Sequence, residues 1–304
     1  MLVAVAAGIA AGLASYLVNI RLQPLLALDL VPYSRYVAPL VEESLKATYI
    51  IYLMSRNRVG FVVDAAILGF GIGTGFAFLE NLYYLSVAPE ASVWSWVVRG
   101  FGTAVMHGGC TAIFAMLART LHNRATDFRP TLLLPSLAAA VALHSAYNHF
   151  LLKPLVATGL IVLVFPYVSS WIFQRSERDT RAWIGTGFDL DQELLDAVHS
   201  GRFAGTPAGQ YLATLRRQFP PEAIVDMLCL LRLRAELGIR AKGVLLAREV
   251  GLETTPDPSV PAKFEELRYL ERSIGRSGMR ALRPFLATST RDLWQFNMID
   301  EAQG

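Results

Sequence analysis

Long apolar stretches separated by short polar segments occupy the first 174 residues of the chain. Crossing the hydrocarbon core of a bilayer takes roughly 17–25 largely apolar residues. The stretches that reach or approach this length are Leu2–Ile20, Tyr36–Met54, Gly60–Val87, Trp96–Leu117, Thr131–Leu152 and Leu155–Phe173. The second stretch contains three charged residues, which lower its hydropathy. The pattern predicts a polytopic bundle of about six transmembrane helices.

The composition changes after Phe173, where charged residues become frequent. Proline at a first helical position and glycine just past a helix end mark several helices in this part of the chain. The predicted helices are Asp189–Ser200, Pro207–Phe219, a long helix from Pro221 to about Val250, Pro261–Gly275 and Met279–Ala287. We therefore predict an all-α protein, with a transmembrane domain over residues 1–174 and a soluble, mostly helical C-terminal domain over residues 175–304.

The amino-acid composition agrees with this division. Hydrophobic residues make up 53% of the chain and charged residues only 17%, with a mean hydropathy of +0.38. A soluble domain carries about a quarter charged residues, so a disordered chain, a coiled coil and a nucleic-acid binder with a basic face are all excluded. Residues 1–174 hold ten Lys/Arg and seven Asp/Glu, whereas residues 175–304 hold eighteen of each. We expect a lipid bilayer as the environment and no nucleic-acid partner.

The distribution of basic residues predicts the orientation in the membrane. Lys and Arg in short loops favour the cytoplasmic side. Arginines follow the second, fourth and sixth stretches, at Arg56, Arg58, Arg119, Arg124, Arg129, Arg175, Arg178 and Arg181. With an even number of spans, this places both termini in the cytoplasm of a protein integral to the inner (cell) membrane.

Several ionisable and polar residues lie where lipid should surround the helices. They are Glu42, Glu43 and Lys46 in the second stretch, Glu80 in the third, His107 in the fourth, and His144 and Asn148 in the fifth. An ionisable group at membrane depth costs on the order of 2.5–3.5 kcal/mol and is a functional candidate by default. Counted from the outer helix ends at 1.5 Å per residue, the acids and histidines lie roughly 9–16 Å deep. A shared depth on four helices predicts one common site in the outer half of the bilayer; Asp64 and Arg99, near span ends, are interpreted as anchors.

These residue types suit the activation of water. Glu80, His107 and His144 would bind a zinc ion with water as its fourth ligand. A glutamate–histidine pair would alternatively activate water without a metal, with His144 and Asn148 donating hydrogen bonds to the oxyanion. The residues by themselves leave both mechanisms open. They also leave open a proton- or ion-coupled transporter, since acids and imidazoles in one layer form proton relays, and a catalytically inactive membrane scaffold.

Glycines accompany the polar residues of the third and fourth stretches. Gly69, Gly71, Gly73 and Gly75 precede Glu80 at alternate positions, and Gly108 and Gly109 follow His107. Small residues four apart let membrane helices approach closely. The glycines predict tight packing around the helices that carry the polar layer.

The polar residues also form recognisable motifs. Glu42-Glu43-Ser44-Leu45-Lys46 fits EExxK, and Phe76-Ala77-Phe78-Leu79-Glu80-Asn81 fits FxxxEN. His107-Gly108-Gly109 and His144-Ser145-Ala146-Tyr147-Asn148 match two later histidine motifs. In this order on successive spans, they resemble the PrsW family of intramembrane proteases, itself distantly similar to the ABI group of type II CAAX prenyl endopeptidases. The resemblance covers about residues 30–150.

The resemblance implies a metallo- or glutamate-type intramembrane endopeptidase. Its expected substrate is a single-span, membrane-anchored anti-sigma factor, cleaved near the extracytoplasmic face to start regulated proteolysis in stress signalling. By motif, Glu42, Glu43 and His144 are the expected essential residues, and Glu80 and His107 further site residues. The last motif ends in Asn148, where PrsW-like sequences often carry Asp, a choice closer to the ABI pattern.

Overall fold

The computed structural model describes residues 1–87, 90–122, 130–253, 255, 257–286 and 290–301. Within these ranges the regular secondary structure is entirely helical, which confirms the predicted all-α class. Arg124 and Arg129 of the orientation argument and Ala287, at the end of a predicted helix, lie outside the described residues. The chain forms two compact units, Met1–Glu177 and Arg178–Gly304.

The first unit is a helical bundle. Its helices are α1 (Leu2–Leu26), the short α2 (Leu30–Pro32), α3 (Ala38–Ser55), α4 (Val62–Val87), the short α5 (Val93–Val97), α6 (Ala104–His122), α7 (Leu134–Asn148) and the start of α8 (Pro154–His199). Five segments are long and apolar enough to cross a membrane: Leu2–Leu26, Val62–Val87, Val93–His122, Pro130–Asn148 and Pro154–His199. The chain is therefore an integral membrane protein with a helical membrane domain.

The predicted second span differs from the other five. Its residues form α3, a regular helix of 18 residues. Because Glu42, Glu43 and Lys46 all lie on α3, it is not among the five apolar segments. Nevertheless α3 packs against α1, α4, α6 and α7. The bundle thus covers one face of the charged helix, and its ionisable groups can face other helices in place of lipid.

Glycines bring α4 into backbone contact with two neighbours. A Cβ at Gly73 would overlap the carbonyl oxygen of His107 on α6, and a Cβ at Gly75 would overlap the carbonyl oxygen of Val5 on α1. The alternating glycines therefore face two helices, because residues two apart lie on different sides of a helix. The contact at Gly73 sets the position of the His107 backbone relative to Glu80, which is on the same helix as Gly73.

Two π-helical segments precede two of the four helices that carry the polar layer. Tyr33–Val37 runs into α3, and Val98–Thr103 runs into α6. A π-helical turn widens the backbone and is frequent at functional sites. The hydroxyl of Ser145 on α7 donates to the carbonyl oxygen of Arg35 at 2.6 Å, which fixes α7 to the first of these segments.

The second unit has its own apolar core. It contains the end of α8, then α9 (Pro207–Leu215), α10 (Pro221–Glu249), α11 (Val260–Leu282) and α12 (Thr290–Glu301). Thr206 caps α9 by accepting a hydrogen bond from the Gly209 amide at 3.1 Å. Apolar side chains at helical spacing on α10 and α11 pack together, among them Met227, Leu230, Leu237, Phe264, Leu267 and Ile274. This repeated spacing makes each helix amphipathic.

The predicted helix boundaries hold in some places and fail in others. The predicted helix start at Asp189 is wrong, since α8 continues without a break from Pro154 to His199; the end of the sixth membrane span at Phe173 stays a prediction. No proline or glycine signal between Gln174 and Trp183 stops a helix that is already formed. Gly201 does end the segment, in a left-handed conformation with φ of 71°. Gly275 interrupts α11 with φ of 70° and ψ of 177°, where the sequence predicts a helix end.

Candidate active site and metal centre

A buried ion pair on α3 lies at the centre of the polar layer. Nζ of Lys46 is 2.5 Å from Oε1 of Glu43, one helical turn away. The two side chains are 0% and 1% exposed. The ammonium also lies over the ring of Phe76, 4.6 Å from its centroid. Desolvating two charges costs several kcal/mol per ion, so a pair at this depth is weak evidence for stability and points to function.

Glu43 also binds the imidazole of His144 on α7. Nδ1 of His144 donates to Oε1 of Glu43 at 2.8 Å. Because an ionised carboxylate only accepts, Nδ1 carries the proton and Nε2 keeps its lone pair. Nε2 lies 3.8 Å from Oε2 of Glu42. Glu43 therefore fixes the tautomer and orientation of His144, as carboxylates that accept from the other ring nitrogen do for metal-binding histidines.

His107 on α6 connects this pair to Glu80 on α4. Nδ1 of His107 lies 3.0 Å from Nζ of Lys46, and Nε2 lies 3.0 Å from Oε2 of Glu80. Since an ammonium only donates, Nδ1 accepts from Lys46 and Nε2 donates to Glu80. The ring of His107 meets the ring of His144 edge to face, with centroids 4.8 Å apart and planes at 88°. Four helices thus contribute to one connected polar cluster.

Three members of the cluster offer ligand atoms to a common point. The donor atoms of Glu42, His107 and His144 all lie within 4.8 Å of one another. Both histidines are buried and Glu42 is partly buried. Two imidazoles and one carboxylate, with a fourth position for water, form a ligand set of catalytic zinc sites. The donor set and the orienting carboxylate of Glu43 therefore fit a zinc-type ion; an ion held by His107 would replace one of that residue's two hydrogen bonds.

The structure differs from the predicted ligand set in one residue. The sequence predicts Glu80 beside His107 and His144, but the trio within reach of one another contains Glu42 in its place. Glu80 contacts Nε2 of His107 and lies 3.5 Å from Nη2 of Arg99. At 28% its side chain is more exposed than that of Glu42, at 15%, or Glu43, at 1%. Of the three carboxylates, Glu80 has the most exposed side chain.

Asn148 is the predicted site residue that the structure does not bring into the cluster. Its side-chain amide donates to the carbonyl oxygen of Ser34 at 2.9 Å. The spacing of four residues places Asn148 near His144 on the helix surface. However, Asn148 lies one turn further out, at the end of α7, where the π-helical segment offers a backbone acceptor. This contact fixes α7 to the π-helical segment, and the predicted hydrogen bond of Asn148 to an oxyanion stays a prediction.

Arg99 is a cluster neighbour that the sequence analysis missed. The sequence predicts an interfacial anchor, but Nε of Arg99 donates to Oδ1 of Asn81 at 3.2 Å, and Nη2 approaches Glu80. Its π-helical segment turns the side chain towards α4. The sequence offered one signal for this role. Arg99 lies between Trp96, where the predicted span starts, and the run Gly100-Phe101-Gly102.

An apolar cavity of about 660 Å³ lies along the helices that carry the histidines. Met106 and Cys110, on either side of His107, line it, as do Leu143 and Tyr147, on either side of His144. The lining contains neither histidine and none of the cluster carboxylates, so the cavity lies beside the polar cluster and is not part of it.

Comparison with protein families finds one match. The model of the family described as PrsW family intramembrane metalloprotease matches residues 1–172. That range includes every residue of the polar cluster. Searches of curated proteins and of solved structures give no match.

Proposed function

This chain belongs to the PrsW family of intramembrane metalloproteases, and we propose that its active site is the cluster of Glu42, Glu43, Glu80, His107 and His144. Membership makes it an intramembrane endopeptidase. The observation that carries the site assignment is the convergence of the Glu42, His107 and His144 donor atoms within 4.8 Å. A proton- or ion-coupled transporter would not need two imidazoles and a carboxylate arranged as metal ligands. It would also not need a buried carboxylate, Glu43, that orients one of the imidazoles.

Glu42, His107 and His144 would hold the metal, and zinc fits their chemistry. A zinc ion there would polarise the scissile carbonyl and lower the pKa of a water molecule. The protein contributes the geometry. Glu43 keeps Nε2 of His144 directed at the site, and Lys46 neutralises Glu43 without withdrawing it from the imidazole. Glu43 and Lys46 are therefore positioning residues.

Glu80 would be the general base. It is the most exposed carboxylate of the cluster, and it lies at the edge of the proposed metal site, with Oε2 3.0 Å from Nε2 of His107. In this role its carboxylate takes a proton from the attacking water and passes it to the leaving nitrogen. Water adds to the carbonyl carbon, the C–N bond breaks, and a carboxylic acid and an amine are released.

The substrate is a membrane-embedded protein. We propose that it is a single-span protein, cleaved near its extracytoplasmic face. At 1.5 Å per residue, the cluster residues lie roughly 9–16 Å from the outer ends of their helices. The resemblance in four motifs favours an anti-sigma factor and a role in stress signalling. Basic residues after the even-numbered spans favour an inner-membrane protein with both termini in the cytoplasm. Residues 175–304 would then form a separate soluble domain on the cytoplasmic side.

Co-expression with candidate substrates tests the function. A panel of single-span membrane proteins, tagged at both ends, is expressed with the full-length protein in cells that lack it. We expect a tagged fragment with the wild type and none with Glu43→Gln or His144→Ala at equal protein levels. Glu90→Gln and His199→Gln are matched controls at exposed positions outside the cluster and should leave the fragment in place. Unchanged cleavage by both cluster variants would overturn the site assignment.

A further inference from the structure

Arg99 is held at the edge of the proposed active site by two residues of α4. Its Nε donates to Oδ1 of Asn81 at 3.2 Å. Its guanidinium carbon lies 3.5 Å from the centroid of the Tyr84 ring, so the planar group stacks on that ring. One edge and one face of the guanidinium are therefore fixed. The side chain is 20% exposed, and the fixed orientation directs the other edge towards Glu80.

A donor on that other edge is unsatisfied. Nη2 of Arg99 is buried and finds no hydrogen-bond acceptor among the described residues. It lies 3.5 Å from Oε2 of Glu80, but that oxygen already accepts from His107 at 3.0 Å. A buried donor without a hydrogen bond is unfavourable and therefore uncommon in folded proteins. Arg99 and Glu80 therefore form an ion pair in which Nη2 keeps its hydrogen-bonding capacity unused.

The backbone that carries Arg99 is also unusual. Arg99 lies in the π-helical segment Val98–Thr103, directly before the helix of His107. Such segments are rare and occur frequently at functional sites. The Nη2 donor without a hydrogen bond and the π-helical turn are independent observations, and the contact with Glu80 places the Arg99 side chain beside the cluster.

We propose that Arg99 is a catalytic residue, whose Nη2 donates a hydrogen bond to the carbonyl oxygen of the scissile peptide bond. This inference rests on the proposed function, and it assigns the binding of the developing oxyanion. When water adds to the carbonyl carbon, the new C–O bond forms, the π electron pair moves to the carbonyl oxygen and the water proton passes to Glu80. When the carbonyl reforms, the C–N bond breaks and the proton on Glu80 goes to the leaving nitrogen.

The negative charge on the carbonyl oxygen is largest after water has added and before the C–N bond breaks. A donor already fixed at that position stabilises the charge without reorganising, and removal of one such donor typically lowers kcat about 100- to 1,000-fold. Arginine suits the role because its guanidinium stays protonated and its planar donors are held rigidly. Asn81 and Tyr84 would then act by fixing the guanidinium.

A pair of substrate analogues tests the assignment in the full-length protein, purified and placed in lipid nanodiscs. Both analogues copy the sequence around a bond that the wild type cleaves. One replaces the scissile amide with an anionic phosphinate, and the other with a neutral ketomethylene group. Dissociation constants are measured for wild type, Arg99→Gln, Arg99→Lys and the matched control Arg21→Gln, whose arginine is an exposed residue of α1.

We expect Arg99→Gln to weaken phosphinate binding at least tenfold, about 1.4 kcal/mol, while ketomethylene binding changes less than about threefold. On the cleaved substrate, kcat should fall with KM almost unchanged, Arg99→Lys should retain part of both properties, and Arg21→Gln should match the wild type. An unchanged phosphinate-to-ketomethylene ratio in Arg99→Gln would overturn the proposal. If that variant does not fold, the Arg99→Lys ratio decides in the same way.

The same measurement in a Glu80→Gln background separates a catalytic role from one exerted through Glu80. Loss of phosphinate binding on adding Arg99→Gln would support direct contact, whereas no further loss would show that Arg99 acts only through Glu80. The proposed function fails separately. In that case the wild type itself would cleave no panel substrate, whereas failure of the Arg99 proposal alone leaves wild-type cleavage in place.

Discussion

Nδ1 of His144 donates a hydrogen bond to Oε1 of Glu43 at 2.8 Å, although 101 positions separate the two residues in the chain. The same carboxylate oxygen is the counter-ion of Lys46. One buried oxygen thus joins a charge pair on α3 to an imidazole on α7. The consequence is that substitutions at Glu43 should affect stability and activity through different partners.

Replacing Glu43 with glutamine should lower both cleavage and stability. The change leaves the Lys46 ammonium without its counter-ion, and removal of one partner of a buried pair costs about 3–5 kcal/mol. Thermal unfolding in nanodiscs and cleavage of a panel substrate measure the two effects. Adding Lys46→Met to Glu43→Gln should recover much of the stability, since the uncompensated charge is gone, but not the cleavage. Recovery of both would contradict a positioning role for Glu43, and Glu90→Gln should change neither.

Metal affinity should distinguish the Glu42 ligand set from the Glu80 ligand set. We expect Glu42→Gln, His107→Ala and His144→Ala each to reduce zinc affinity at least tenfold, because each removes a proposed ligand. Glu80→Gln should change the affinity less than about threefold while abolishing cleavage, as expected for a base that is not a ligand. Competition with a chromophoric chelator gives the affinities, and His199→Gln is the control. Retained affinity in Glu42→Gln with loss in Glu80→Gln would favour the set predicted from the sequence.

Gly73→Ala should destabilise the membrane unit and impair cleavage. The added Cβ would overlap the carbonyl oxygen of His107, so α4 and α6 must separate. Overpacking of this kind costs about 1–3 kcal/mol. Gly159→Ala on α8 is the matched control, since nothing lies within 4 Å of its Cβ. It should be neutral or stabilise the helix, by up to about 1 kcal/mol. Equal thermal unfolding midpoints for the two variants would contradict the close approach of α4 and α6.

Both ends of the chain should lie on the same side of the membrane. Five segments are apolar enough to cross without α3, so an even number of crossings requires that α3 crosses too. Fluorescent reporters that fold only in the cytoplasm, fused before Met1 or after Gly304, should both be bright. A periplasm-dependent phosphatase inserted at Glu90 should be active. Reporters with opposite signals at the two ends would mean that α3 does not span.

Some properties of the site follow from local pattern and could be predicted. Apolar runs of sufficient length mark the membrane helices, since the thickness of the hydrocarbon sets the number of residues. The fixed rise per residue then places Glu43, Glu80, His107 and His144 in one layer before any contact is known. The four motifs indicated the PrsW family, and the family match confirms that prediction.

Other properties depend on how the helices rotate and where they touch. The sequence predicts Glu80 as a ligand and Asn148 as a catalytic residue, whereas the structure groups Glu42 with the histidines and binds Asn148 to the Ser34 carbonyl. Each residue of a helix adds a fixed rise along the helix axis, so the depth of a side chain can be calculated from the sequence. The direction of a side chain within a layer depends on helix packing, here on glycine contacts and π-helical turns distant in sequence. Thus the sequence by itself determined the membrane helices, the layer of acids and imidazoles and the family. Tertiary structure alone decided which carboxylate meets which imidazole, and that Arg99 lies beside them, because those pairings arise from contacts between helices.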